Sequence, residues 1–189
     1  MKTSKVLAAL SLGVFLLAGS VMAADAITSG PQVDKKVPGA FHPLNVTGDK
    51  AGEKNCLFCQ NGEHPVAMIF AREATPEVTK LIKKIDEATA KNAKAEMGSF
   101  VVFLHDEDKD FVSKLKDVAK KEKISTCVLS ILDDNAGPQG YHINKDAEVT
   151  VVLYTDRTVK ANYAFKKGEM KDADIEKIVG DVSKIVPGK

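Results

Sequence analysis

The stretch VAMIFAREATPEVTKLIKKI, Val66 to Ile85, changes its hydrophobic period halfway along. Val66-Ala67-Met68-Ile69-Phe70 is a continuous apolar run, as expected of a strand buried on both faces. Thr75-Pro76-Glu77 then supplies an N-cap residue, a proline at the first helical position and an acid in the first turn. Val78, Leu81, Ile82 and Ile85 follow at spacings of three and four, which makes one buried helical stripe. The stretch therefore reads strand, short loop, amphipathic helix.

Downstream the same alternation repeats. Phe100 to Leu104 is a second apolar strand, and Phe111, Val112, Leu115, Val118 and Ala119 mark one face of a second helix. Cys127 to Leu132 is a third strand, and Asp133 to Asp146, with Gly137-Pro138 and Gly140, is a loop or holds one short helix. Val149 to Tyr154 and the alternating Val159 to Phe165 form a hairpin about Thr155-Asp156-Arg157. A last helix, about Asp172 to Val186, buries Ile175, Ile178, Val179, Val182 and Ile185. The expected order is β-α-β-α-β, a loop, a β-hairpin and a closing helix. Such an α/β chain forms a central mixed sheet, parallel at its heart and covered on both faces. No repeat or low-complexity block interrupts it.

Upstream, Lys2 and Lys5 precede an apolar run from Val6 to Val21, and Val21-Met22-Ala23 has the small-residue pattern of a cleavage site. Residues 1–23 are expected to be a signal peptide, with Ala26 as the alternative cut. The run is slightly short for a membrane span of about 20 residues. Ser20 stands where a lipid-bearing cysteine would be, which argues against a lipoprotein. Cleavage removes two lysines and no acid, so the 27 basic residues become 25 against 26 acidic ones, a formal charge of −1. That balance offers no electrostatic case for nucleic acid or for an anionic membrane surface. A protein partner is left open, and no cofactor is expected. The exported chain is expected to be periplasmic or secreted, with residues 24–64 an extended segment rich in Gly, Pro, Asp and Asn and residues 65–189 the folded domain.

From Pro65 to Val186 the element order and apolar pattern resemble the thioredoxin superfamily, which implies a thioredoxin-like three-layer sandwich. In that superfamily a Cys-x-x-Cys sits at the N-terminus of the helix after the first central strand, where unpaired amides and the helix dipole favour a thiolate. Here Ala74-Thr75-Pro76-Glu77 falls on that motif: the proline is kept, while Ala74 and Glu77 fill both thiol positions. The resemblance also implies a cis-proline before the fourth strand, where this chain has Glu148-Val149-Thr150. The usual dithiol site is therefore expected to be absent.

A Cys-x-x-Cys exists elsewhere. Cys56 and Cys59 lie upstream of the first strand, and Gln60-Asn61-Gly62 after them reads as a turn rather than a helix. Three readings stay open. An oxidising compartment favours a disulfide, so the pair is first expected to fasten the N-terminal segment to a domain that binds or scaffolds. The alternative is a thiol-disulfide oxidoreductase on a displaced pair, with Cys56 attacking and Cys59 resolving. Third, Cys56, Cys59 and His64 offer three zinc ligands, with Cys127 or His142 as a fourth. Gln60 argues against covalent haem, since the attachment motif needs histidine there.

Other residues carry weaker expectations. Cys127 sits inside an apolar strand and reads as a small buried hydrophobe, or else as a resolving thiol for the pair. His105 ends the second strand in a charged loop that caps the next helix. Tyr141 and His142 fall near the missing cis-proline, as groove candidates. Asn45-Val46-Thr47 is a glycosylation sequon, which matters only in a eukaryotic secretory pathway.

Overall fold

The structure, a computed structural model, describes residues 27–186; the expected signal peptide lies outside the described residues. In chain order the elements are β1 (Leu44–Asn45), α1 (Leu57–Asn61), β2 (Val66–Ala71), α2 (Pro76–Lys91), β3 (Gly98–Leu104), α3 (Lys109–Glu122), β4 (Cys127–Leu132), β5 (Val149–Thr155), β6 (Thr158–Phe165) and α4 (Asp172–Gly180). The six strands form one mixed sheet in the order β1-β4-β3-β2-β5-β6. β2, β3 and β4 run parallel, while β5, β6 and β1 each pair antiparallel to their neighbours. Among the described residues no helix is long and apolar enough to cross a membrane.

The strands and helices arise where the periodicities place them. Thr75 Oγ1 accepts the Val78 amide at 3.2 Å, Pro76 opens α2, and Val78, Leu81, Ile82 and Ile85 are buried. Asp108 caps α3 by accepting the Phe111 amide at 2.7 Å. Asp156 and Arg157 both have positive φ, which suits the two-residue turn between β5 and β6. The closing helix stops earlier than its periodicity suggests. α4 ends at Gly180, and a 3₁₀ turn at Asp181–Lys184 carries Val182 into the core.

How the two faces are covered follows from chirality. The crossovers β2-α2-β3 and β3-α3-β4 step across the sheet in the same direction, so right-handed connections put both helices on one face. α4 joins them there, over a core that includes Ile69, Val101, Leu129 and Val151. The alternate residues Met68, Phe70, Val102 and Val152 point the other way and need a different cover.

The N-terminal segment supplies it. The Asp34 amide donates to the Val159 carbonyl at 2.9 Å and the Val37 amide to Arg157 at 2.9 Å, which ties the segment to the β6 side of the sheet. The chain then crosses the second face, burying Val37 and Phe41, and ends as β1 against β4, Leu44 opposite Ile131. The β4–β5 loop crosses the same face, where Tyr141 and Ile143 are buried. Strap and loop meet where the Tyr141 hydroxyl donates to the Gly39 carbonyl at 2.5 Å. Strand β1 escapes sequence reading because it is two residues long and exists only as a partner of β4. Asn45, the sequon residue, is 2% exposed within it and is shut off from modification in the folded chain.

Candidate functional site

The end of the sheet where Ala71 and Val149 pair is the position at which the superfamily keeps its dithiol. A cleft of about 280 Å³ opens there, lined chiefly by Pro76, Val78, Glu148, Val149, Lys167 and Met170. It contains no sulfur nucleophile, and among the described residues no peptide bond is cis. Arg72 sits next to this wall, its amide donating to the Glu148 carbonyl at 3.1 Å. Its guanidinium donates to the carbonyls of Ala147 at 2.9 Å, Asn135 at 3.1 Å and Asn144 at 3.3 Å, so it holds the crossing loop at three points. One oxygen of Glu148 is buried in this wall without a hydrogen-bond partner. Burial pushes its carboxyl above the usual range and Glu73 adds to the effect, while Lys167 and Arg72 oppose it. In the sequence Glu148 stands out only as a neighbour of the missing proline. An acid directly before a buried strand was the signal available.

Tyr141 and His142 do not belong to this cleft. Tyr141 is 1% exposed, with its ring 5.1 Å from Phe41 and 5.6 Å from Phe70 on the second face. His142 is exposed on the loop. His105 stacks on Phe111, centroids 3.8 Å apart, beside the Asp108 cap.

The cysteine pair sits at the other end of β2, before Val66. A six-residue strand separates the two ends, about 20 Å of extended chain. Cys56 and Cys59 form a disulfide with Cα atoms 5.2 Å apart. The turn expected directly after Cys59 begins later. Cys56 is the N-cap of the one-turn helix α1, its Sγ accepting the Cys59 amide at 3.1 Å, and Gly62 at φ 56° ends the helix. Leu57 and Phe58 anchor α1 on the second face, and Phe58 lies between Tyr154, centroids 6.4 Å apart, and the Arg157 guanidinium at 5.3 Å. At its far end Asn61 Nδ2 donates to the Leu57 carbonyl at 2.7 Å. The two sulfur residues differ sharply in access. Cys56 is 8% exposed and belongs to the apolar cluster, whereas Cys59 is exposed.

The remaining candidates are not brought to the pair. Cys127 is 3% exposed on the helical face of the sheet, opposite the face that holds Cys56, so it cannot resolve a bond to either cysteine. Burial pushes its thiol up to about 12, with Asp86 adding and a Ser99 hydrogen bond opposing. Both thiols of the proposed zinc set are consumed in the disulfide, and His64 faces Glu96 at 3.5 Å instead. Among the described residues no three His, Cys, Asp or Glu side chains converge as a metal site.

No protein-family model matches the chain, and no curated protein matches it in sequence. Solved structures do match in shape. A candidate protein disulfide isomerase from Bacteroides thetaiotaomicron superposes with a TM-score of 0.62 at 13% identity, over 85% of this chain and 94% of that one. The 2-Cys peroxiredoxin of Plasmodium vivax gives 0.58 at 18% identity, over 81% and 83%. A secreted disulfide oxidoreductase of Mycobacterium tuberculosis gives 0.50 at 11% identity, over 76% and 94%. The likeness is one of fold: the chain has a thioredoxin-like fold, as its element order implied.

Proposed function

We propose that this is an exported thioredoxin-fold protein that carries out thiol–disulfide exchange through the displaced Cys56–Cys59 pair. The observation that carries this reading is the pairing of an exposed Cys59 with a bond that staples very little. A disulfide stabilises by closing a loop in the unfolded chain, and a loop of four residues is worth only about 2 kcal/mol. It joins one turn of α1 to itself. The N-terminal segment is held instead by its pairing with β4 and β6 and by the burial of Val37, Phe41, Leu57 and Phe58. Fastening the segment, the role first expected from sequence, therefore does not need the bond.

The chemistry asked of the pair is modest. An incoming thiolate opens the bond, a mixed disulfide forms, and the partner thiol closes it again. The test is the reduction potential of the pair, read by differential alkylation and mass spectrometry across glutathione buffers. A value between about −120 and −270 mV places it with working redox proteins, and a value below about −300 mV marks a structural bond and overturns the reading.

A second reading has its own observation, the thiol-free cleft at the opposite end. Pro76, Val78, Val149 and Met170 offer an apolar floor, with Glu148 and Lys167 at its wall. Under this reading the protein is a binding module and the disulfide a local brace. Turnover in a disulfide-reductase assay that disappears in Cys56→Ser counts against it.

A further inference from the structure

The geometry points to Cys59 as the sulfur that exchanges with an incoming thiolate, and to Cys56 as the buried leaving and resolving thiol. This reverses the order expected from sequence, and it rests on the exchange reading above. Disulfide exchange proceeds in line: the nucleophile approaches one sulfur along the S–S axis and expels the other. Cys59 is an exposed residue while Cys56 is buried, so Cys59 is the member of the pair that an incoming thiolate can reach. Cys56 is 8% exposed and belongs to the buried apolar cluster of the second face, so an approach to its sulfur is the more obstructed of the two. The leaving group is also provided for. Cys56 Sγ already accepts the Cys59 amide at 3.1 Å, a hydrogen bond that favours the thiolate over the thiol.

The steps balance without a further reagent. A thiolate of a substrate dithiol attacks Cys59 Sγ; the Cys56–Cys59 bond breaks, its electron pair leaves on Cys56 Sγ, and a substrate–Cys59 mixed disulfide forms. The second substrate thiolate then attacks the substrate sulfur of that mixed disulfide and releases Cys59 as a thiolate. The substrate is oxidised by two electrons, the protein pair is reduced by two, and the substrate's two protons pass to the protein thiolates or to water. In the reverse direction Cys59 attacks a substrate disulfide, and Cys56, held against it on the same turn, resolves the adduct. The substrate class is an exposed, flexible dithiol or disulfide peptide, because Cys59 sits at the surface and the pair lies far from the cleft.

The assignment is tested on the full-length protein in two ways. Wild type is opened with reduced glutathione, quenched in acid and mapped by peptide mass spectrometry, and the glutathione adduct is expected on Cys59. Separately, C56S and C59S proteins, checked for folding by circular dichroism, are mixed with oxidised glutathione. Cys59 in C56S is expected to form its mixed disulfide at least about tenfold faster than Cys56 in C59S, following access. An adduct found on Cys56, or equal rates in the two variants, overturns the assignment. A wild-type bond that no dithiol peptide opens, with Cys59 still the faster thiol, removes the exchange reading and the proposal with it.

Discussion

At the scale of single residues, environment decides chemistry that identity leaves open. The three cysteines have three fates: Cys127 is sealed in the core, Cys56 is buried at the N-cap of α1, and Cys59 is exposed. Spacing in sequence marks the pair but cannot tell its two members apart, because access depends on which side of a single helical turn faces the core. Glu148 makes a comparable point. Its carboxyl is held above the usual carboxylate range mainly by burial, so the folded state binds a proton more readily than the unfolded chain. Stability from this residue is thus full at low pH and declines as pH rises through the carboxylate range. Glu148→Gln removes that decline. Thermal melts should show the variant more stable than wild type at pH 7, with the advantage gone near about pH 3, where both side chains are neutral. An advantage of the same size at both pH values would mean the charge is not its source.

At the scale of elements, short pieces depend on their neighbours in a way long ones do not. The start and the buried face of α2 are legible because Thr75, Pro76 and a four-residue apolar stripe all state them locally. α1 has five residues, too few to hold in isolation, and relies on capping and on what it packs against. One such support is Gly98. A Cβ there would lie 1.7 Å from Asn61 Oδ1, the side chain that closes the end of α1. Gly98→Ala should turn Asn61 away and break its bond to the Leu57 carbonyl, at a cost of about 1 kcal/mol. The loosened turn should also open faster to glutathione. Urea unfolding and the rate of reduction check the two effects separately, and an unchanged rate would show that α1 does not depend on this contact.

At the scale of the whole molecule, the N-terminal strap completes the third layer of the sandwich. Phe41 is its keystone, with its ring 6.0 Å from Phe70 and 5.1 Å from Tyr141. Phe41→Ala should cost about 3 kcal/mol by the usual penalty for emptying a core aromatic. It should also speed hydrogen exchange at β1 and its partner β4 while leaving the disulfide intact. A loss below about 1 kcal/mol would mean that the strap is held by its backbone pairing and not by packing. The division between what was legible and what was not has a physical reason. Sequence by itself determined the order β2-α2-β3-α3-β4-β5-β6-α4, the faces of the helices and the absence of thiols at Ala74 and Glu77, since these follow from local periodicity and residue identity. Tertiary structure alone decided that three helices share one face, that residues 34–45, α1 and the β4–β5 loop cover the other, that Cys127 and the pair are separated by the sheet, and that Cys59 faces solvent. Those outcomes depend on crossover handedness and on contacts between residues a hundred or more apart, such as Ser29 with Thr150, and no local pattern encodes them.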